Sequence, residues 1–372
     1  MNIMDPTYLL LYFVVAISAV SNSFSRDRVL KFISYCFTTL LITAFVAFRW
    51  EIGTDWDAYY DLFKSIAEGF AGENVEHFDL GFVFINYVIS LINDSYTFFL
   101  ICTTILSTIL VSYILFKYSE TPHLGQLLFL GTYLPIHFTG SIRRSIAIAF
   151  IFSCVILLFE IKSKKLSILS LLFAILQHKT AVVGALFYII PKHRFSIKLT
   201  SIIVVIASVL GAVGVSDILL TLIKNMVPEN SEIGFFITIS NYAGEYYKEY
   251  APQNVDPVLL STISLAKKII YLLFFNLALK RKSSQLDDVM YNLYVVGVGL
   301  YSLLIGAMVI QVLAIYFLFF EVMLVSRSFT RLLPIEKGMF LLYILLSSFM
   351  SFYAGLSVYP ELFFPYKSIF SL

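Results

Sequence analysis

The chain has 372 residues, 59% of them hydrophobic and 17% aromatic, with only 26 Lys/Arg and 24 Asp/Glu. A soluble protein of this length carries about 25% charged residues and cannot hide so much apolar surface in its core. Composition therefore excludes a soluble enzyme, a nucleic-acid binder and a secreted module, and the net charge of +2 says little until the charges are placed in loops. The expected fold is an all-α polytopic transmembrane protein with a single transmembrane domain over 1–372. A transmembrane helix needs about 20 mostly apolar residues. In chain order the candidates are Thr7–Ala19, Lys31–Phe48, Tyr96–Lys117, Leu124–Thr139, Ser145–Phe159, Ile197–Ile223, Ile263–Leu279, Val289–Gly306, Val309–Ser326 and Gly338–Gly355. The first lacks a basic flank before it and reads as a retained helix, not a cleaved signal. Leu80–Ile92 is short for a span, and Leu166–Ile190 is interrupted by Gln177, His178 and Lys179.

Basic residues collect on the cytoplasmic side of short loops. The clusters Arg26/Arg28/Lys31, Lys162/Lys164/Lys165, Lys192/Arg194/Lys198, Lys280/Arg281/Lys282 and Arg327/Arg331 share one side only if both ambiguous segments fail to cross. That gives ten full spans plus two re-entrant or hairpin segments. Twelve spans is the alternative, and it puts Lys162–Lys165 outside. In the ten-span reading both chain ends and two polar loops face outward. The first loop, 49–80, is acidic, with eight carboxylates in Arg49–Asp79, and includes an interfacial helix. The second, 224–262, holds five acids and the closely spaced Tyr242, Tyr246, Tyr247 and Tyr250. Cys36, Cys102 and Cys154 lie in apolar stretches and read as small filler.

Three polar constellations stand where they are costly. Asp55, Asp57, Tyr59 and Asp61 follow the second helix. Thr54 or Asp55 is a candidate helix cap there, with Trp56 and Tyr60 as headgroup anchors. The rival reading makes Asp55 a carboxylate facing a polar cavity. Arg143 and Arg144 sit at the outer end of a helix. Adjacent guanidiniums repel, so lipid headgroups, an internal ion pair or a phosphate-bearing substrate must satisfy them, and the arginine fork favours the last. Gln177, His178 and Lys179 break Leu166–Ile190 and so face protein or water. His178 is then a proton relay, a phosphate contact or a structural histidine, with Lys179 as a cation beside it. His77 and His137 are weaker candidates, while His123 and His193 read as loop positions. No metal-ligand spacing and no glycine-rich phosphate loop occur, so neither metal, cofactor nor ATP is expected.

These segments resemble the EpsG family, within the broader class of Wzy-like polymerases of O-antigen, capsule and exopolysaccharide repeats. Gly53-Thr-Asp55-Trp-x-x-Tyr59 is similar to the family's Gly-Thr-Asp-aromatic-x-x-Tyr signature, and Asp79-Leu-Gly81-Phe82 to its acidic-x-Gly-aromatic segment. Arg143-Arg144-Ser-Ile-Ala147 resembles its Arg-Gln-x-x-Ala motif, and Gln177-His178-Lys179-Thr180-Ala181 its aromatic-His-x-Ser-Ala motif. The resemblance covers Ile52–Pro191 in order and spacing. Beyond it the likeness lies in hydropathy and in Pro365-Tyr366-Lys367. Arg144, Gln177 and Thr180 depart from the usual glutamine, aromatic residue and serine. The family's late arginine before a tyrosine has no counterpart, because only Gln311 stands near Tyr316.

The resemblance implies a nucleotide-independent membrane glycosyltransferase in the bacterial cytoplasmic (inner) membrane, active on its outward face. It would move a growing glycan from undecaprenyl pyrophosphate to an incoming lipid-linked repeat unit. A chain-length regulator and a flippase would be its partners, alongside membrane lipids. On this reading Arg143 and Arg144 hold the pyrophosphate, with Arg144 preferred over Lys179 or Arg327 as the second clamp. His178 is a general base or a pyrophosphate contact, and Asp55 a base or an acceptor-orienting group. Tyr59, Asp57, Lys179, Gln311 and Tyr316 complete the substrate-binding set. The alternatives are a lipid-linked oligosaccharide flippase or polysaccharide transporter, and an O-antigen ligase-like transferase.

Overall fold

The computed structural model describes residues 5–69, 75–226 and 256–371. Among them every regular element is helical, and a lone bridge joins Arg49 to Ser368. The polar residues between apolar runs start the helices. Asp5 accepts from Thr7 N before α1 (Pro6–Phe24), and Asp27 from Val29 N and Leu30 N before α2 (Arg28–Ala47). Such side chains satisfy amide groups that a helix start leaves open. There follow α3 (Trp56–Ala67), α4 (Leu80–Ser90) and α5 (Tyr96–Tyr118). Next come α6 (Pro122–Leu128), a π-helical continuation Phe129–Thr139, and α7 (Ile142–Phe159). Then α8 (Lys164–Gln177) leads into a 3-10 run, Lys179–Tyr188, followed by α9 (Ile197–Ala212) and α10 (Val215–Met226). The remainder holds α11 (Pro257–Arg281), α12 (Gln285–Leu303), α13 (Val312–Arg331, a run of short turns) and α14 (Pro334–Ser357).

Seven of these helices are long and apolar enough to cross a membrane, or eight if α9 and α10, bent by 70°, count as one. Leu10, Ile17, Leu40, Leu342 and Met350 point outward from them, as side chains do where lipid replaces water. The chain is a multi-pass membrane protein. The expected straight run Ile197–Ile223 is broken at Val213–Gly214, where Gly214 takes φ +79°.

The two ends of the bundle differ. At the clasp end Tyr366 N donates to Asp5 (3.0 Å), Trp50 N to Lys367 O (3.0 Å) and Gly53 N to Leu362 O (3.1 Å). At the basic end Arg327 and Arg331 both pair with Asp287, Arg331 also reaches Glu120 (3.2 Å), and Arg281 pairs with Glu336.

One of the two ambiguous segments folds back on itself. Ser167 Oγ, near the start of α8, lies 2.8 Å from Tyr188 OH at the end of the 3-10 run. A cavity of about 440 Å3 at the basic end is lined by Lys162, Lys164, Tyr188, Lys192 and Gln285. The chain thus turns back at His178 and returns to the end it left. For α4, Phe82 packs on Tyr59 (ring centroids 5.0 Å apart) and the later Tyr96 on Trp56 (5.3 Å). The start of α4 and the start of α5 therefore both touch the first turn of α3.

The expected interfacial helix is α3, which buries Trp56, Tyr59, Leu62 and Phe63 and exposes Asp57 and Asp61, one apolar stripe at helical spacing. Trp56 is not a headgroup anchor. It is buried and stacks on Tyr60 (5.1 Å), edge-on to Trp50. Of the second polar loop, 224–262, residues 227–255 with their tyrosines lie outside the described residues. His123, expected in a loop, is buried in α6 beneath the edge of Tyr35.

Candidate active site

Two glycines bring three distant segments to the start of α7. Gly53, at φ +112°, lies so close to the end of the π-helical run that a Cβ would meet Thr139 O at 2.4 Å. That contact lets Asp55 N donate to Gly140 O (3.2 Å). Gly81 lets α4 settle on the tip of α8, where a Cβ would meet Gln177 Nε2 and Leu176 at 2.7 Å. Only glycine fits such approaches. The π-helical run contains Pro135, which lacks an N–H and would clash with the carbonyl four residues back in an α-helix. Bonding one residue further back removes that conflict, and such π turns recur at functional sites.

Arg143 is paired. Its Nη1 pairs with Asp79 Oδ2 (2.9 Å) and its Nε donates to Tyr59 OH (3.3 Å). Its guanidinium also lies over the ring of Phe78, 5.0 Å from the centroid. Asp79 uses its other oxygen to accept from Lys179 N (3.2 Å). One carboxylate thereby ties α4, α7 and the hairpin tip together. Tyr59 OH donates to Asp55 Oδ2 (2.8 Å) and lies 3.1 Å from Ser141 Oγ. Burial, followed by the charge of Asp55, pushes the Tyr59 phenol up to about 12, so it stays protonated and acts as a donor. Asp55 occupies the cap position of α3 but makes no capping bond. Its Oδ1 accepts from Thr54 Oγ1 instead (3.0 Å), so the capping expectation fails at this residue.

Arg144 is the opposite case. Its Nε is buried without a partner, and no described residue gives it a hydrogen bond or an ion pair. Its charge reaches His137, His178 and Tyr316. Beside it runs a relay of side chains: His178 Nδ1 lies 2.7 Å from Thr180 Oγ1, which lies 2.9 Å from Tyr316 OH. His178 Nε2 has no hydrogen bond to a described residue.

The fold thus gathers Asp55, Tyr59, Arg143, Arg144, His178, Lys179 and Tyr316 around the start of α7. Asp57 is left out, exposed on the far side of α3. Gln311 is elsewhere, donating to Tyr301 O (3.0 Å) and accepting from Ser261 Oγ (3.3 Å). Arg327 is held by Asp287 at the basic end. The sequence reading passed over Asp79 as the partner of Arg143, Ser141 beside Tyr59, and Thr180 as the link between His178 and Tyr316. It also passed over Lys267 and Lys268, two adjacent cations inside an apolar segment, although their cost in such a setting was a usable signal. Among the described residues no group of three or more His, Cys, Asp or Glu is placed to hold a metal ion.

No curated protein and no solved structure matches the chain. The pattern of one family does, over residues 32–368, a range that contains every residue gathered around the start of α7. The chain belongs to the EpsG family, a family of Wzy-like exopolysaccharide polymerases.

Proposed function

We propose that this protein transfers a growing glycan from undecaprenyl pyrophosphate onto the non-reducing end of an incoming lipid-linked repeat unit. The observation that carries this reading is Arg144, a half-buried guanidinium whose buried Nε has no described partner, within electrostatic reach of His178 and Tyr316. A half-buried cation without a counter-ion is partly desolvated and gains from an anionic partner. A diphosphate supplies the missing charge, and the flat guanidinium matches its oxygens.

In the transfer, the acceptor hydroxyl oxygen bonds to the anomeric carbon and the bond from that carbon to the diphosphate breaks. The electron pair leaves with the diphosphate, where Arg144 meets the growing charge. A donor aimed at charge that develops in the transition state contributes about a hundred- to thousandfold in rate. The hydroxyl proton passes to His178 Nε2 or to Asp55, both aligned by neighbours: His178 by Thr180, Asp55 by Thr54 and Tyr59. Arg143, matched to Asp79, positions these groups. The energy for the bond is carried by the lipid diphosphate, so no nucleotide is needed.

Ten passes fit the arrangement, with α4 and the hairpin that turns at His178 failing to cross. All five basic clusters then lie in the cytoplasm, and the site opens outward in the bacterial inner membrane. The concentration of unusual polar groups at one end supports chemistry there over two-sided transport. The test supplies purified lipid-linked repeat to the purified chain without ATP. Laddered polymer from the wild type, and none from Arg144→Gln or His178→Gln at equal expression, is the expected result. Movement of the repeat across vesicles without any ladder would replace the polymerase with a flippase.

A further inference from the structure

The cavity of about 440 Å3 at the basic end is walled by parts of the chain that only the fold brings together. Lys162 and Lys164 come from the turn between α7 and α8, Lys192 from just past the 3-10 run, and Gln285 from the first turn of α12. Both connections that carry the lysines are held in place. In the first, Ile161 N donates to Ile156 O (3.0 Å) and Ser163 N to Leu157 O (2.9 Å). Between them Lys162 takes φ +59°, a left-handed conformation that costs a residue with a Cβ some energy. In the second, Asn292 of α12 donates to Pro191 O (2.9 Å) and His193 O (2.8 Å) and accepts from Phe195 N (2.7 Å). That side chain fixes the loop on which Lys192 stands.

The cavity's charge is one-signed. Three ammonium-bearing residues line it, and no acid is among the described residues that do. The nearest acids in sequence, Glu160, Asp287 and Asp288, are not part of the lining, and Asp287 is taken by Arg327 and Arg331. Neither Lys162, Lys164 nor Lys192 makes an ion pair or a side-chain hydrogen bond with a described residue. The arginines of the same end are different, since Arg281, Arg327 and Arg331 are all matched to carboxylates. Like charges around one space repel, and an anion between them removes that cost. Phe159 and Ile190 supply an apolar part of the same wall. An anionic head with an apolar continuation suits such a lining, and basic pockets between helices at a membrane surface take lipid headgroups.

We propose that this cavity binds the phosphate headgroup of an anionic membrane lipid and so joins the two feet of the hairpin whose tip carries His178 and Lys179. Lys162 and Lys164 stand at one foot and Lys192 just past the other, and Ser167 Oγ meets Tyr188 OH between them. A phosphodiester shared by the three lysines bridges both feet. A soluble phosphate ester offers the same oxygens but nothing for Phe159 and Ile190. The inference does not rest on the glycan-transfer reading.

The experiment measures binding of dioleoylphosphatidylglycerol, dioleoylphosphatidylcholine and soluble glycerol phosphate to the purified full-length chain in detergent micelles. The wild type is expected to bind the anionic lipid about tenfold or more tighter than either of the others. Lys162→Gln/Lys164→Gln/Lys192→Gln should bring the two lipids to parity. Lys165→Gln/Lys198→Gln/Lys282→Gln removes the same charge from the same end outside the cavity and should keep the preference. All of these lysines are exposed, so folding is not at stake in either variant. Equal weakening by both sets would reduce the effect to general attraction between a basic surface and an anionic lipid, and the inference would fall. Glycerol phosphate bound as tightly as the anionic lipid would overturn the lipid assignment. A wild type without preference between the two lipids overturns the site altogether, and each of these results leaves the polymerase reading as it was.

Discussion

Each end of the bundle carries a pair of arginines near a carboxylate, and the two pairs are treated differently. At the basic end Arg327 and Arg331 sit four residues apart on one helical face, and both reach Asp287. Ser284 adds a hydroxyl and a backbone N–H to the same carboxylate. At the start of α7 the arginines are adjacent, and neighbouring residues on a helix diverge by about 100°. Only Arg143 can meet Asp79, and Arg144 is turned elsewhere. The first arrangement is closed and holds helices together. The second leaves one charge unmatched within electrostatic reach of a histidine.

Substitutions can sharpen or break this contrast, beginning with the largest effect. Asp287→Asn strands two cations and should lower stability by about 3–5 kcal/mol, read as a large fall in melting temperature, with any surviving folded protein active. Arg144→Gln should do the reverse, costing a hundred- to thousandfold in polymer formation while the melting temperature holds or rises. A fall in stability as large as that of Asp287→Asn would mean that Arg144 is structural after all. Asp79→Asn lies between them. Arg143 and Asp79 are partly exposed, at 21% and 9%, so the loss should be about 2 kcal/mol. Adding Arg143→Gln should recover stability without recovering activity. Thr180→Val breaks the link between His178 and Tyr316 and should slow polymerisation about tenfold, measured as initial rate at saturating repeat. Asp57→Asn, on an exposed face without a described partner, should leave both rate and melting temperature within error.

Much of this was legible in the residue order. Charge scarcity gave the membrane class. The positions of the basic clusters led to the expectation of two segments that do not cross, and the chain does fold back at His178, where Ser167 Oγ meets Tyr188 OH. Gly53 and Gly81 lie inside motifs readable by eye, but their role is to let Thr139 and Gln177 approach, which no local pattern states. The partnership of Arg143 with Asp79 joins residues 64 apart, and nothing in helical periodicity links them. Lys267 and Lys268 were hidden for another reason. They lie inside a segment that hydropathy alone reads as a span, and averaging over the window erased the two residues that do not belong. Asp57 and Gln311 show the converse error, since proximity in sequence to Asp55 or Tyr316 does not decide which way a side chain turns.

The clasp that joins residues 362–369 to the loop after α2 has a consequence for the order of biosynthesis. Lys367 reaches Glu51 across a sequence separation of 316, and Leu362 O holds Gly53 N. A ribosome adding about 5–20 residues per second delivers those partners roughly 15–60 s after the loop has entered the membrane. Until then nothing from the carboxyl-terminal segment braces Gly53 and Asp55 against Gly140. A nascent chain therefore lacks the bond to Gly53 N until its closing turn, Pro360–Phe363, has been made.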